Sequence, residues 1–400
     1  MNILYLAHRI PYPPNKGDKI RSFNEIKFLS RNHHVDLVCL ADDPDDLHYA
    51  ADLEKYCRHV EVFPLNKAIA KIRGVLSLAG GSSISVGYFY QKNMQQCIDR
   101  LLQENSYAAA LCFSSTMAEY IYKSKSAKLP SRLIMDFCDV DSDKWLQYAT
   151  DARFPMNYVY QLENRRLIFY EKLIYQSFNA SILISEAEKS LFLNVCSDDS
   201  KINVVPNGVD FKYFSAQAIA QQEKRDHPVL VFTGAMDYHA NVDGVIWFCN
   251  EIWPELKKHF ANLTFYIVGS HPDPAVKDLE KYDGVVVTGF VDDIRDYYAM
   301  ADVCVVPLRM ARGVQNKVLE AMSMGKAVVT TPKANAGILA EDGEQLLIAS
   351  DVGNFIKKIE LLLKNSDKRE SLEKKARGFV VDHYDWDKNL KNLEKTLIDN

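Results

Sequence analysis

The sequence predicts an α/β protein with two doubly wound domains, each built on a parallel β-sheet. The 400 residues are enough for two or three domains at roughly 100–200 residues each. Short β-branched runs alternate with amphipathic segments along most of the chain, and this series occurs twice. The runs are apolar throughout, which is typical of strands that helices cover on both faces.

The strand candidates fall into two series. They lie at residues 3–7, 35–40, 60–63, 108–113, 132–137, 181–184 and 202–205 in the first series, and at 229–233, 263–268, 285–288, 302–306, 327–331 and 346–349 in the second. The segments between them are amphipathic. In NVDGVIWFCNEIW, for example, the apolar side chains recur at the spacing of one helical face.

A polar stretch separates the two series. Residues 207–228 begin with an Asn-Gly turn, have little strand character and end at a proline directly before a new strand. We therefore expect an N-terminal Rossmann-like domain at 1–208 and a C-terminal one at 209–382. Residues 383–400 form one more amphipathic helix, which either closes the second domain or crosses back to the first. The expected ligand site is the cleft between the domains, beyond the carboxyl ends of the strands.

Composition excludes several classes of protein. The formal net charge is −5, so no general positive field attracts nucleic acid. The eight cysteines form no Cys-x-x-Cys pair and lie mostly in apolar runs. This pattern indicates reduced thiols in a cytoplasmic protein and no zinc site. No run reaches the ~18 apolar residues that span a bilayer, and we expect no signal peptide.

The common nucleotide-binding motifs are missing from the sequence. A dinucleotide-binding protein would have Gly-x-Gly-x-x-Gly after its first strand, but HRIPYPPNKGDKIRS has a single glycine, Gly17. The sequence contains no Walker A motif either. Nicotinamide enzymes, flavin enzymes and P-loop ATPases are therefore disfavoured.

The segment 302–331 suits a nucleotide diphosphate instead. A strand runs into the loop LRMARGVQ, and Asn316 can cap the helix that follows. The amides and dipole of that helix attract anions, and Arg312 and Lys317 would add charge-assisted hydrogen bonds to a diphosphate. Glu320, one turn further and turned away from the core, can accept hydrogen bonds from both ribose hydroxyls. An ordinary solvated glutamate explains the same pattern equally well.

Several segments match one known family in order and spacing. They are VVPNGVDFKYF (204–214), LVFTGAMDYHANVDG (230–244), FYIVGS (265–270), VVVTGFVDDIRDYYAMADVCVVPLR (285–309) and VLEAMSMGKAVVTT (318–331). Together they resemble the interdomain segment, the donor-domain loops and the donor-binding motif of family-four glycosyltransferases, which are retaining enzymes of GT-B fold. More narrowly, IMDFCDVDSDKW with RGVQNKVLEAM resembles the exopolysaccharide sugar transferases associated with PEP-CTERM/exosortase systems.

The resemblance implies roles for the matching positions. Glu320 matches the glutamate that holds the donor ribose. Gly17 matches a glycine-bearing loop near the donor phosphates and the acceptor, and Gly234 lies in the loop that matches the first loop of the donor domain. The loop against which the base packs is matched by Gly289, Phe290 and Val291.

One position departs from the family pattern. The family has two glutamates eight positions apart in this motif, and the earlier one falls at Arg312. Arg312 either clamps the donor phosphates or marks altered donor chemistry. We favour the clamp, because the same loop has two further cations, Arg309 and Lys317. Lys19 and Arg21 of the first domain are additional candidates for phosphate binding.

An acidic cluster begins at the end of the strand at 132–137 and continues beyond it. It consists of Asp136, Asp139, Asp141 and Asp143. The family often has a sugar-contacting histidine in this region, and Asp139 or Asp141 can take over part of its role. Helix capping is the simpler interpretation. A metal site of the Asp-x-Asp kind is a third, but it belongs to GT-A enzymes with one nucleotide-binding domain, so we expect no metal.

These observations lead to one functional prediction and two alternatives. We expect a metal-independent, retaining hexosyltransferase that uses a nucleotide diphosphate sugar and no cofactor, with catalytic roles for Asp139, Asp141 and Arg312. The acceptor is a saccharide or a lipid-linked sugar of exopolysaccharide biosynthesis. The alternatives are a nucleotide-sugar epimerase of the same fold and a non-catalytic nucleotide-sugar-binding subunit.

One amphipathic segment suggests a membrane partner. Residues 65–81, LNKAIAKIRGVLSLAGG, combine an apolar side with Lys67, Lys71 and Arg73. Basic amphipathic helices can lie on anionic membranes, and an ordinary surface helix is the simpler alternative. We therefore expect a cytoplasmic protein, either dissolved or in peripheral contact with the inner face of the cytoplasmic membrane.

Overall fold

A computed structural model describes residues 1–216, 226–311 and 313–398, which form two compact units. The first unit comprises Met1–Pro206 together with the residues from Asp387 onward, and the second comprises Asn207–Trp386. The chain thus passes from the first unit to the second and then returns. Part of the predicted linker, residues 217–225, lies outside the described residues.

The first unit is built on a parallel sheet, which in the described residues has the strand order β3-β2-β1-β4-β5-β6-β7. Its strands are β1 (Asn2–Ala7), β2 (His34–Ala41), β3 (His59–Pro64), β4 (Ala109–Phe113), β5 (Arg132–Cys138), β6 (Ala180–Leu183) and β7 (Ile202–Val204). β1 and β4 are buried almost throughout, as their apolar sequences predict.

The second unit repeats this plan with the strand order β10-β9-β8-β11-β12-β13 among the described residues, again with parallel pairing. Its strands are β8 (Val229–Thr233), β9 (Thr264–Val268), β10 (Val285–Gly289), β11 (Val303–Val306), β12 (Ala327–Thr330) and β13 (Leu347–Ile348). Every strand candidate of the sequence corresponds to one of these strands, so the predicted two-sheet α/β architecture is confirmed.

Helices connect the strands in both units. The first unit has α1 (Gly17–Leu29), α2 (Ala50–Leu53), α3 (Lys67–Ala79), α4 (Ile84–Phe89), α5 (Lys92–Glu104), α6 (Ala118–Tyr122), α7 (Asp141–Asp151), α8 (Met156–Ser177) and α9 (Glu186–Phe192). The second has α10 (His239–Trp247), α11 (Trp253–His259), α12 (Pro274–Lys277), α13 (Arg295–Met300), α14 (Asn316–Ser323), α15 (Pro332–Asn335), α16 (Val352–Lys364) and α17 (Ser366–His383). No helix in the described ranges has the length and apolar character needed to cross a bilayer.

The final helix, α18 (Trp386–Ile398), returns the chain to the first unit. The carbonyl of Thr396 accepts hydrogen bonds from the Arg132 guanidinium at 2.9 and 3.0 Å. The carboxylate of Glu394 lies 3.0 Å from the His33 imidazole. Leu390, Leu393 and Leu397 are buried, so this helix contributes apolar side chains to the interior as well as polar contacts.

Candidate functional site

The second unit places a polar cluster at the switch point of its sheet. β8 lies between β9 and β11, and the chain proceeds from β8 to β9 on one side and from β11 to β12 on the other. A ligand crevice forms at such a point, beyond the carboxyl ends of the strands. Here β8 ends at Thr233, and β11 leads through Pro307 into the loop that precedes α14.

Three glycines leave this edge of the sheet without side chains at the ends of three neighbouring strands. Gly234 and Gly269 directly follow β8 and β9, and Gly289 ends β10; their φ angles of +153°, +154° and +71° favour glycine. They are adjacent in space, because the Gly269 amide donates to the Gly289 carbonyl at 3.2 Å. A Cβ on Gly269 would lie 1.7 Å from the Gly234 carbonyl oxygen. The edge is therefore lined by backbone, which a ligand can approach closely.

Lys317 reaches from the first turn of α14 to this glycine edge. Its Nζ lies 4.6 Å from the centre of the Phe232 ring and donates to the Asn241 Oδ1. A Cβ on Gly234 would lie only 2.9 Å from that Nζ. Burial lowers the pKa of Lys317 to about 7, and the charge of Glu320 opposes only part of the shift. A phosphate bound here would stabilise the ammonium form.

Glu320 lies one turn further along α14 and is half-buried, so it is not a freely solvated surface glutamate. Its Oε2 accepts a hydrogen bond from the Tyr298 hydroxyl at 2.9 Å, and that hydroxyl is 2.7 Å from the Thr233 Oγ1. Burial raises the pKa of Glu320, while Tyr298 and Lys317 oppose the shift. Within the described residues Oε1 accepts no hydrogen bond, so one carboxylate oxygen is available to a ligand hydroxyl.

The start of α14 differs from the prediction. Asn316 is the first helical residue rather than the cap, and no described side chain caps this helix. The Val318 amide donates to the Gln315 carbonyl at 2.9 Å, so within the described residues the amides of Asn316 and Lys317 are the ones that can donate to an anion. Arg309, expected to make the loop positive, instead forms an ion pair with Asp243 that uses both Nε and Nη2. Arg312, the predicted clamp, lies outside the described residues.

The predicted base-binding loop follows β10. Gly289 ends the strand, the Phe290 ring is 76% exposed, and Val291 packs against the core of the unit. An exposed aromatic ring beside a backbone-lined edge offers a surface on which a base can stack. The structure therefore brings Gly234, Lys317 and Glu320 together and connects them to Gly289 through the row of glycines.

Asp139 and Asp141 belong to the first unit, at the end of β5 and the start of α7. Asp141 accepts a hydrogen bond from the Ser115 hydroxyl at 2.7 Å, which joins it to the end of β4. Asp139 is half-buried. The capping interpretation is wrong for α7, because Val140 occupies the cap position and no side chain caps the helix within the described residues. Nearby, burial raises the pKa of Glu171 to about 8.

Two cations of the first unit do not have the role considered for them. Lys19 and Arg21 are only 2% and 1% exposed. The Lys19 Nζ donates to an Asp46 carboxylate oxygen at 2.6 Å, and Arg21 donates to Asp136 at 2.7 and 2.9 Å. Both are therefore structural ion-pair partners rather than phosphate ligands. Gly17, by contrast, is exposed at the first position of α1.

Three side chains of the cluster in the second unit were not predicted from the sequence. They are Thr233, Asn241 and Tyr298. Thr233 carried a usable signal, because it is a polar residue at the carboxyl end of a buried strand and directly precedes a glycine. Asn241 and Tyr298 lie in helical segments where nothing in the local pattern separates a site residue from an ordinary one.

No metal-binding cluster was found in the described ranges, where no group of three or more His, Cys, Asp or Glu side chains is arranged to hold an ion. All eight cysteines are free thiols; seven are buried and Cys138 is half-buried. The thiols thus belong to the packed interior, as their apolar sequence contexts predict.

Known proteins share sequence with this chain. Residues 227–365, which contain the cluster, match the family model described as glycosyl transferases group 1. A 44.6 kDa protein in the cps region of Klebsiella pneumoniae is 24% identical over 98% of this chain and 99% of its own length.

Solved structures share its architecture. Sucrose-phosphate synthase from Thermosynechococcus elongatus gives a TM-score of 0.73 at 16% identity and covers 99% of this chain and 98% of its own. The Anabaena protein HepE, solved with UDP-glucose, gives a TM-score of 0.67 at 16% identity, with 99% of both chains covered. At such low identities these likenesses establish the fold, and the chain has the GT-B fold.

Proposed function

We propose that this protein is a retaining glycosyltransferase that moves a sugar from a nucleotide diphosphate sugar to an acceptor hydroxyl. The observation that carries the proposal is the placement of Lys317 and Glu320, three residues apart on α14, at the switch point of the second sheet, where a Cβ on Gly234 would lie 2.9 Å from the Lys317 Nζ. The match of residues 227–365 to group 1 glycosyl transferases supports it.

The two charged side chains suit opposite parts of one donor. Lys317, as an ammonium, pairs with the diphosphate, which also receives hydrogen bonds from the first-turn amides of α14. Glu320 accepts hydrogen bonds from the ribose hydroxyls through the oxygen that Tyr298 leaves unused. The base then stacks near Phe290. Arg312 adds a second cation to the diphosphate in this proposal.

The chemistry requires stabilisation of a leaving group and removal of a proton. Negative charge develops on the diphosphate as the sugar–phosphate bond breaks, and fixed cations and amides lower the barrier to that step. For retention, the departing phosphate accepts the proton of the attacking hydroxyl on the same face of the sugar, with no covalent enzyme intermediate. Asp139 and Asp141 orient the sugar or the acceptor. The reaction in this form needs no resident metal or cofactor.

The proposed biological setting is exopolysaccharide biosynthesis in the cytoplasm. The Klebsiella relative is described by its position in a cps region, which supports this setting. The subgroup resemblance to exosortase-associated transferases points in the same direction. The acceptor is accordingly a saccharide or a lipid-linked sugar.

A thermal-shift screen against UDP-, GDP-, ADP- and TDP-sugars tests donor binding, because a ligand of the native state raises the melting temperature by mass action. We expect one nucleotide to stabilise the chain strongly and Glu320→Ala to remove most of that shift. Glu370→Ala, at an exposed glutamate of α17, is the matched control and should keep it. An unchanged shift in Glu320→Ala would refute the placement of the ribose.

A transfer assay with the best donor separates the activities. Formation of an α-linked product from an α-linked donor, undiminished after EDTA treatment, is the result expected of a metal-independent retaining transferase. Turnover of the donor without acceptor would indicate an epimerase instead. Donor binding with no transfer to any acceptor extract would indicate a binding subunit.

A further inference from the structure

Helix α3 presents its large apolar side chains to solvent. Ile69, Ile72, Val75 and Leu76, which we call the α3 stripe, are 55%, 62%, 64% and 64% exposed. They recur at three- and four-residue spacing and so share one side of the helix. Contiguous exposed apolar surface of this kind marks an interaction site in a folded protein.

The opposite side of α3 is built from small residues and is locked in place. Ala70 and Gly74 are the buried residues of this helix. A Cβ on Gly74 would lie 2.9 Å from the Ile84 Cγ2, and one on Gly87 of α4 would lie 2.0 Å from the Ser77 Oγ. An ordinary surface helix buries its large apolar side chains, whereas this one buries its small ones. Close packing on α4 prevents α3 from rolling to hide the stripe.

The charged side chains of α3 itself are all basic. Lys67 and Lys71 are exposed along one edge of the stripe and form no ion pair within the described residues. Between Glu61 and Asp99 the sequence contains no acidic residue, although the whole chain has a net charge of −5. Lys67 even occupies the first turn of the helix, where the dipole disfavours a cation.

We propose that α3 is a membrane-docking helix that lies flat on an anionic phospholipid surface. The stripe enters the boundary between headgroups and acyl chains, while Lys67 and Lys71 extend to the lipid phosphates at its edge. The absence of acidic side chains between Glu61 and Asp99 suits an anionic surface and not an acid-rich protein partner. This inference does not rest on sugar transfer and stands or falls separately from it.

Co-sedimentation of the full chain with vesicles tests the proposal. Vesicles of phosphatidylcholine alone are compared with vesicles that also contain phosphatidylglycerol, at low and at high salt. We expect binding to the anionic vesicles and its loss at high salt. Lys67→Gln/Lys71→Gln should weaken that binding by on the order of tenfold or more. Ile72→Ser/Leu76→Ser should weaken it by at least about tenfold.

Matched variants keep the test specific. Lys357→Gln/Lys374→Gln removes two exposed lysines of the second unit, and Leu129→Ser/Leu361→Ser removes two exposed leucines from other surfaces. Both controls should bind like the unmodified chain. Equal binding to neutral and anionic vesicles, or equal loss in the controls, would overturn the proposal. It would also be overturned if the chain were a dimer that Ile72→Ser/Leu76→Ser converts to a monomer, because a second copy would then cover the stripe.

Discussion

The two units place cations and carboxylates near the carboxyl ends of their sheets, but with opposite results. In the first unit, Arg21 donates to Asp136 at 2.7 and 2.9 Å and lies 3.0 Å from Glu25, and all three side chains are fully buried. In the second unit, Lys317 and Glu320 are half-buried, and burial disfavours the charged form of each.

The difference separates a structural ion network from a ligand site. The Arg21 network is closed, because solvent does not reach it: the guanidinium donates to Asp136 and to the Val205 carbonyl, and the Glu25 carboxylate lies within ion-pair distance. The cluster in the second unit is open, because Lys317 and Glu320 are only half-buried and one oxygen of the Glu320 carboxylate accepts no hydrogen bond within the described residues. Groups whose pKa values are perturbed and that remain partly accessible are candidates for a functional site. Charge alone therefore does not identify a site.

The largest effect should come from breaking the closed network. Arg21→Met leaves Asp136 and Glu25 buried without their cation and should lower the free energy of unfolding by roughly 3–5 kcal/mol. Arg31→Met, which removes an exposed pair with Asp387, should cost about 0–1 kcal/mol. Urea denaturation measures both variants. If both variants lower the free energy of unfolding equally, the buried network stabilises the first unit no more than a surface ion pair does.

A smaller effect is expected at the glycine edge. Gly234→Ala adds a Cβ at a φ of +153° and 2.9 Å from the Lys317 Nζ, which should cost about 2–4 kcal/mol of stability and displace the lysine. Gly343→Ala has a similar backbone problem at φ +84° but open space around the new Cβ. Calorimetry with UDP or GDP should therefore show weakened binding only for Gly234→Ala. Unchanged binding by both variants would show that Lys317 does not contact the donor.

The pH dependence of stability and of diphosphate affinity tests whether Lys317 binds an anion. The folded pKa of Lys317 is about 7, below the ordinary value of 10.5. The unfolded chain therefore binds more protons between these values, and this group makes the ligand-free protein more stable as pH rises through that window. Diphosphate affinity should move in the opposite direction and fall above pH 7, by up to about tenfold per pH unit.

Titration calorimetry with UDP or GDP across this window measures the affinity, and chemical denaturation measures the stability. Lys317→Gln should bind more weakly and lose the pH dependence above pH 7. If the affinity of the unmodified chain is constant across this window, the Lys317 ammonium does not contribute to binding.

The smallest effect concerns Tyr298. Tyr298→Phe removes the hydrogen bond to Glu320 and the contact with Thr233, which should cost about 1 kcal/mol in donor binding. Tyr297→Phe is the matched control, since the Tyr297 hydroxyl forms no hydrogen bond within the described ranges. Equal affinities for the two variants would show that Tyr298 does not orient the carboxylate.

The strands were predictable because the forces that define them are local. β8 was predicted at 229–233, since its apolar run is bounded by Pro228 and Gly234. Lys317 and Glu320 were also accessible to reasoning from sequence, because helical spacing after a strand brings them together. Their connection to Gly234, however, depends on packing between separate elements and is visible only in the structure.

The predictions for Arg21 and Arg309 are wrong because the carboxylates that pair with them are distant in sequence. Arg21 and Asp136 are separated by 115 positions, so nothing near Arg21 shows that its charge is compensated. The same applies to Arg309, whose partner Asp243 is 66 positions away. For α3, periodicity identified the apolar side but could not show whether it faces the core. The small residues of α3 pack on α4, and this packing determines that the large apolar side chains face solvent.

The return of α18 to the first unit has a consequence for biosynthesis. On the ribosome, the strands of the first unit emerge long before the helix whose Thr396 carbonyl accepts from Arg132 and whose leucines enter the interior. The second unit is contiguous in sequence and can reach its native state as soon as it has left the exit tunnel. The portion translated first is thus the last to be completed, which reverses the usual N-to-C order of cotranslational maturation.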